Sequence, residues 1–184
     1  SRRSLLQILS SPLLLSAAAP RELACDVAII GGSFGGVAAA LGALRNGLRV
    51  VLTEESDWIG GQVTSQAVPP DEHQWIETHG ATRLYRSYRD GVRDHYRRYY
   101  PLTDEARTRK NLNPGGGSVS RITHEPRVSL AVLEAMLAPH VSGGQLTVLL
   151  EHTPVAASTK GDVVDSVTVR DARGGSRRTI TAKY

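Results

Sequence analysis

The stretch DVAIIGGSFGGVAAALGALRNGLRVVLTEE, residues 26–55, limits most what this chain can fold into. Residues 26–30, Asp-Val-Ala-Ile-Ile, form a short apolar run of the kind found in parallel strands buried on both faces. GGSFGG follows at 31–36, and VAAALGALRNG then reads as a helix packed by Val37, Ala40, Leu41 and Leu44 and stopped at Asn46-Gly47. A second apolar strand, Val50-Val51-Leu52, ends at Thr53-Glu54-Glu55. Strand, glycine turn, helix, strand and acid in this order make a βαβ unit suited to a dinucleotide.

Each position has a physical reason. Gly31 permits the tight turn out of the strand, and Gly36 lets the helix approach the sheet. The helix N-terminus offers free N–H groups and partial positive charge to a pyrophosphate. Gly31, Gly32, Ser33, Phe34, Gly35 and Gly36 are therefore candidate cofactor contacts. Glu54 lies 23 residues after Gly31, the spacing at which a carboxylate accepts from both ribose hydroxyls, with Glu55 beside it. A 2′-phosphate would be repelled there, which disfavours NADP. The pattern departs at Ser33, where G-x-G-x-x-G counted from Gly31 asks for glycine; the frame from Gly32 puts Phe34 there and fits worse.

Lys plus Arg is 22 against 18 Asp plus Glu, a net charge of +4 that suits an anionic ligand but is too weak to indicate nucleic acid. Cys25 is the single cysteine, which excludes an internal disulfide or redox dithiol, and it reads as the start of a buried strand. Residue 1 is Ser and the chain stops at Tyr184 within a strand-like run, so the sequence reads as part of a longer protein. Residues 1–24 read as an export signal or an N-terminal extension. Arg2 and Arg3 precede an apolar stretch too short to span a membrane, and SRRSLLQ resembles the twin-arginine pattern. On that reading the protein is exported to the periplasm already folded; otherwise it is cytoplasmic.

Gly60-Gly61, followed by Gln62, comes six residues after Glu54, where a turn brings backbone N–H groups back toward the dinucleotide. Together, DVAIIGGSFGGVAAA and LTEESDWIGGQ resemble the glutathione-reductase-2 class of flavoproteins. More closely, with TSQAVPPDEHQWIE and NPGGGSVSRITHEPRVSLAVLEAML, the chain resembles a bacterial FAD-dependent oxidoreductase family over about residues 25–184. The resemblance implies an α/β, Rossmann-like FAD-binding domain, incomplete at the C-terminus. It also implies flavin-mediated redox of an unidentified small molecule, FAD as cofactor, and a backbone contact from Val155 to the adenine. Gln62 and Arg127 join Gly60 and Gly61 among the candidate FAD contacts. Two other readings stay open: an NAD-dependent dehydrogenase and a non-catalytic nucleotide-binding module.

Residues 81–125 read as an insertion of one helix and a long loop. From Ala81 to Tyr100, Leu84, Tyr85, Tyr88, Val92, Tyr96 and Tyr99 share a core face, and Arg86, Arg89, Arg93 and Arg97 an expected solvent face. The loop 101–126 shows no obvious element. His73 and His124 are catalytic candidates in loops. Asp71, Glu72 and His73 are not read as a metal site, since adjacent residues of an extended chain point opposite ways. A crossover helix from Arg127 to Ala138, with Val128, Ala131, Val132, Ala135 and Met136 buried, leads to a third parallel strand at 146–150. Residues 153–183 then read as a three-stranded antiparallel β-meander.

Overall fold

The computed structural model of the chain describes residues 21–184. The export-signal reading of the leading residues lies almost wholly outside them. Three strands, β2 (Val27–Ile30), β3 (Val50–Thr53) and β4 (Leu146–Leu149), form a parallel sheet in the order β2-β3-β4. Helix α1 (Phe34–Arg45) joins the first two strands; α2 (Arg83–Tyr99), α3 (Asp104–Thr108) and α4 (Pro126–Ser142) lie between the second and third. A second sheet has the order β1-β7-β6-β5, built from β1 (Arg21–Cys25), β5 (His152–Lys160), β6 (Val163–Asp171) and β7 (Arg177–Ala182).

The parallel sheet is the middle layer. All four residues of β3 are buried. Val50 and Leu52 join Val37, Leu41, Tyr88, Val92 and Leu133 in a core against the helices, while Val51 and Leu149 join Cys25, Val169 and Ile180 in a smaller core against the second sheet. Cover on both faces explains the unbroken apolar runs of β2 and β3.

The meander forms as its alternation predicts, with β5–β6 and β6–β7 antiparallel. Its sheet has a fourth member. Residues 21–25 pair in parallel with 178–182, so Arg21 to Ala24 belong to the folded unit and Cys25 closes β1 instead of opening the next strand. The chain bends at Asp26 and passes from one sheet into the other. β7 does likewise: Lys183 and Tyr184 donate to Asp26 O, and Ala28 donates to Tyr184 O. Asp26 holds this junction through Arg49 N–H at 2.9 Å and Lys183 Nζ at 2.9 Å, and these bonds hold its carboxyl below the usual range.

The insertion departs from its periodicity. Tyr88, Val92 and Tyr96 are buried as expected, but Tyr99 is 70 % exposed. Arg89 and Arg93, placed by the pattern on a solvent face, are only 2 % and 4 % exposed. Segments 69–80 and 101–125 cover that face and bring carboxylates with them. Arg89 Nε meets Glu72 at 2.7 Å, its terminal nitrogens reach Glu77, and Arg93 reaches Glu77 at 2.6 Å and Leu112 O at 2.9 Å. The long loop also contains an element: α3, capped by Thr103 Oγ1. Asn113 then ties the rest together, donating to Gly117 O and Ser120 O and accepting from Thr123 N–H. The crossover helix runs further than expected and is turned slightly, burying Ser129, Leu133 and Leu137 with Val128 and Val132, while Ala135 is exposed.

Candidate dinucleotide site

The site forms where the parallel strands end and α1 begins. Gly31 has φ +112°, in the region that favours glycine, and its N–H donates to both the carbonyl and the hydroxyl of Thr53 at 3.2 Å. A Cβ at Gly36 would stand 2.0 Å from Gly31 O and 3.6 Å from Ile29, so the helix meets the strand here with no space for a side chain. A Cβ at Gly32 would stand 2.8 Å from that of Glu54. Ser33 is the N-cap of α1, its hydroxyl accepting from Gly36 N–H at 3.4 Å; its φ is −57°, so the position has no need of glycine. The Phe34 ring turns away from the strand ends to pack edge-on against Tyr88 at 4.8 Å and Tyr85 at 5.9 Å. With Gly36 N–H taken by the Ser33 hydroxyl, the Phe34 and Gly35 N–H groups of the first helical turn are left to face a ligand.

Gly60-Gly61 docks directly on this turn. Gly60 has φ +105° and Gly61 +53°. Gly60 N–H donates to Gly32 O at 2.8 Å, and a Cβ at Gly61 would be 3.3 Å from Ser33 Cα. The Gly60 amide is therefore spent within the protein and does not point at a dinucleotide; Gly61 alone of the pair lines the cleft.

The cleft encloses about 370 Å³ and runs from Gly31, Ser33 and Gly61 past Ser65 and Gln66 to Thr53, Glu54, Glu55, Ser56, His152 and Pro154. That is ample for part of a dinucleotide. Glu54 is 8 % exposed, and one carboxylate oxygen accepts from Ser56 N–H at 2.9 Å and Ser56 Oγ at 2.8 Å. Its other oxygen lies above Gly32, toward the glycine turn. The carboxylate is thus held in one orientation by its neighbour two residues on.

Of the sequence candidates outside the two glycine turns, Glu54 and Glu55 line this cleft and three do not. Gln62 turns the other way and donates to Pro69 O at 3.3 Å. Arg127 lies over the Trp58 ring, 5.3 Å from its centroid. The Val155 side chain is exposed one residue beyond Pro154, which does line the cleft. The two histidines are also elsewhere. His73 pins a turn, with Trp75 N–H donating to its Nδ1 at 3.2 Å and Gly80 O 3.4 Å from its Nε2. His124 is held between Ile122 O at 2.6 Å and Tyr88 OH at 3.1 Å, and burial pushes its pKa down. It stands behind Tyr88, which itself packs behind Phe34. Glu72 is committed to Arg89 and Tyr85, and no cluster of three His, Cys, Asp or Glu able to hold a metal occurs among the described residues.

Sequence reasoning missed Thr53, Ser56, Ser65, Gln66, His152 and Pro154. Ser56 was within reach, since acidic side chains at turns accept from the backbone two residues on, as Asp and Asn do, and Glu54 does so toward Ser56 N–H. Nothing local marks His152.

The residues fit FAD by their shape: a glycine turn that sets α1 tight against the strand, a helix N-terminus beside the cleft, and an oriented carboxylate. The fold agrees with solved structures. Mycobacterium smegmatis Sdh1 in complex with UQ1 matches 88 % of this chain and 33 % of its own, with TM-score 0.54 and 13 % identity. The myxobacterial chondrochloren halogenase CndH, a variant of FAD-dependent halogenases, matches 88 % and 36 %, with TM-score 0.53 and 18 % identity. Glycerol-3-phosphate dehydrogenase from Bacillus halodurans complexed with FAD matches 86 % and 33 %, with TM-score 0.51 and 16 % identity. The chain thus spans about a third of the length of these structures. No curated protein matches it. The family model of the FAD dependent oxidoreductases matches residues 26–184, and the chain belongs to that family.

Proposed function

We propose that this chain forms the dinucleotide-holding part of an FAD-dependent oxidoreductase acting on a small molecule. The observation that carries this reading is the convergence of the Gly31 turn, the α1 N-terminus and the oriented Glu54 carboxylate on one cleft. The α1 amides face the pyrophosphate, where their partial positive charge offsets the phosphates without a cationic side chain. The free oxygen of Glu54 accepts from the ribose hydroxyls, and the Ser56 bonds keep it aimed there. Bound FAD supplies the electron and hydride chemistry. Packing of Gly60-Gly61 on the first turn supports FAD over a nicotinamide cofactor, because a simple nicotinamide-binding unit does not require it. The glutathione-reductase-2 class is the finer assignment we favour. For localisation we propose twin-arginine export, on the Arg2-Arg3 pattern alone; no helix of the described residues is long and apolar enough to cross a membrane.

The test is FAD titration into the flavin-stripped full-length protein. Glu54→Ala removes a charge-assisted hydrogen bond, with an expected loss of about 1.5–3 kcal/mol, or tenfold and more in affinity. Unchanged affinity overturns the ribose assignment. A wild-type protein that binds NAD or ADP but no flavin favours the dehydrogenase or the non-catalytic module.

A further inference from the structure

His152 opens β5 at the point where the chain leaves the parallel sheet, directly after Glu151, whose φ is +57°. Its backbone N–H donates to Glu54 O at 2.9 Å, which fixes it beside the acid end of the cleft. Its ring is 7 % exposed and lines that cleft. Nδ1 lies 2.7 Å from Leu150 O, a bond that requires the proton on Nδ1. In the neutral ring this leaves Nε2 as an acceptor. Nε2 is buried and has no hydrogen-bond partner, the only such side-chain atom among the described residues. The cross-strand neighbour Asp171 offers it no proton, since its carboxylate accepts from Arg173 N–H at 2.8 Å. Buried acceptors are nearly always paired, so a donor absent from this chain is expected here.

We infer that His152 is a cofactor-binding residue whose Nε2 accepts a hydrogen bond from the adenosine half of FAD. The inference rests on the FAD reading above. The phosphates carry no proton to give at neutral pH and belong by chemistry at the α1 N-terminus. The donors near Glu54 are the ribose hydroxyls and the exocyclic amino group of adenine. Pro154, two residues along the strand, supplies a flat apolar wall beside them.

The test compares His152→Phe and His152→Gln in the flavin-stripped full-length protein, titrated with FAD by flavin fluorescence. Both lose the bond to Leu150 O, but Gln carries an acceptor near the Nε2 position and Phe carries none. Phe is expected to weaken binding about three- to tenfold, and Gln by less than about twofold. Equal weakening in both variants, or none in Phe, overturns the inference. Should the Phe variant fail to fold, the imidazole nitrogen resonances of the wild type decide: the Nε2 signal moves when FAD saturates the protein, and a stationary signal overturns the proposal. Repeating the titration with the hypoxanthine analogue of FAD identifies the donor. Loss of the Phe effect assigns the amino group, and persistence assigns a ribose hydroxyl. A wild-type protein that binds no FAD sinks the proposed function as well, whereas FAD binding indifferent to His152 sinks this inference alone.

Discussion

The glycine cleft and the arginine cluster of α2 are both places where polar groups are buried, and they are built in opposite ways. At the cleft, closeness comes from missing atoms: Gly32, Gly36 and Gly61 let the chain approach itself, and Gly31 makes the turn at φ +112°, all within residues 31–61. At α2, Arg89 and Arg93 reach across to Glu72, Glu77 and the Leu112 carbonyl, which come from segments far apart in sequence. The first arrangement fails when an atom is added, the second when one is removed.

Gly36→Val is the sharpest test of the first half of this contrast. A branched side chain must displace Gly31 O, which lies 2.0 Å from the new Cβ, so the helix has to leave the strand. We expect a loss of more than about 4 kcal/mol, read as a failed or strongly shifted urea transition. A variant that folds normally and keeps flavin would show that α1 can slide without cost. At the second place, Glu72→Ala leaves Arg89 buried with half of its partners, for an expected loss of about 3 kcal/mol. Converting Glu72 to Leu and Arg89 to Met together should recover part of that loss, since no charge is then stranded. A double variant worse than Glu72→Ala would mean that the cluster contributes more than the pairing of its charges.

Acid sharpens the same point more gently. Burial pushes the Glu77 carboxyl up, but hydrogen bonds from Arg89 and Arg93 outweigh it and hold it at about 2 against an ordinary 4.5. A carboxyl lowered on folding contributes stability that is present above the unfolded pKa and is lost as pH falls through the folded one. The urea midpoint should therefore fall between pH 4.5 and about 2, and that fall should be shallower in Glu77→Gln. Parallel acid profiles would remove Glu77 from the account. The smallest effect belongs to Ser33→Gly. An N-cap hydroxyl is lost at a residue whose φ is negative, so stability should drop by only a few tenths of a kcal/mol, with FAD affinity little changed. Complete loss of FAD would make the hydroxyl itself a ligand.

What could be seen in the sequence follows the same division. The Gly31 turn, α1 with its stop at Asn46 and the strand ending in Glu54 are set by residues close together, and all appear where spacing places them. The meander is legible for the same reason. Arg89 and Arg93 were misplaced because a helical period separates two faces but does not say what covers each one. Gly60 was expected to aim its amide at the ligand, and a contact with Gly32 that no spacing reveals takes it instead. His152 was invisible for a related reason, since an unpaired acceptor exists only once the strand around it is built. β1 escaped because its partner is β7, and Cys25 and Thr181 are 156 positions apart.

That last distance has a consequence for synthesis. β1 leaves the ribosome first among the described strands and its partner leaves last. At about 5–20 residues per second, the first strand waits roughly 8–30 s for β7. Through that interval the glycine turn and the parallel strands can form, while Leu23 and Cys25 lie at an open edge with nothing to pair with. A nascent chain of this kind has a built-in window of vulnerability. It should depend on chaperone holding in proportion to how slowly the meander is translated, so slowing the codons of residues 150–182 should lower the soluble yield without changing a single side chain.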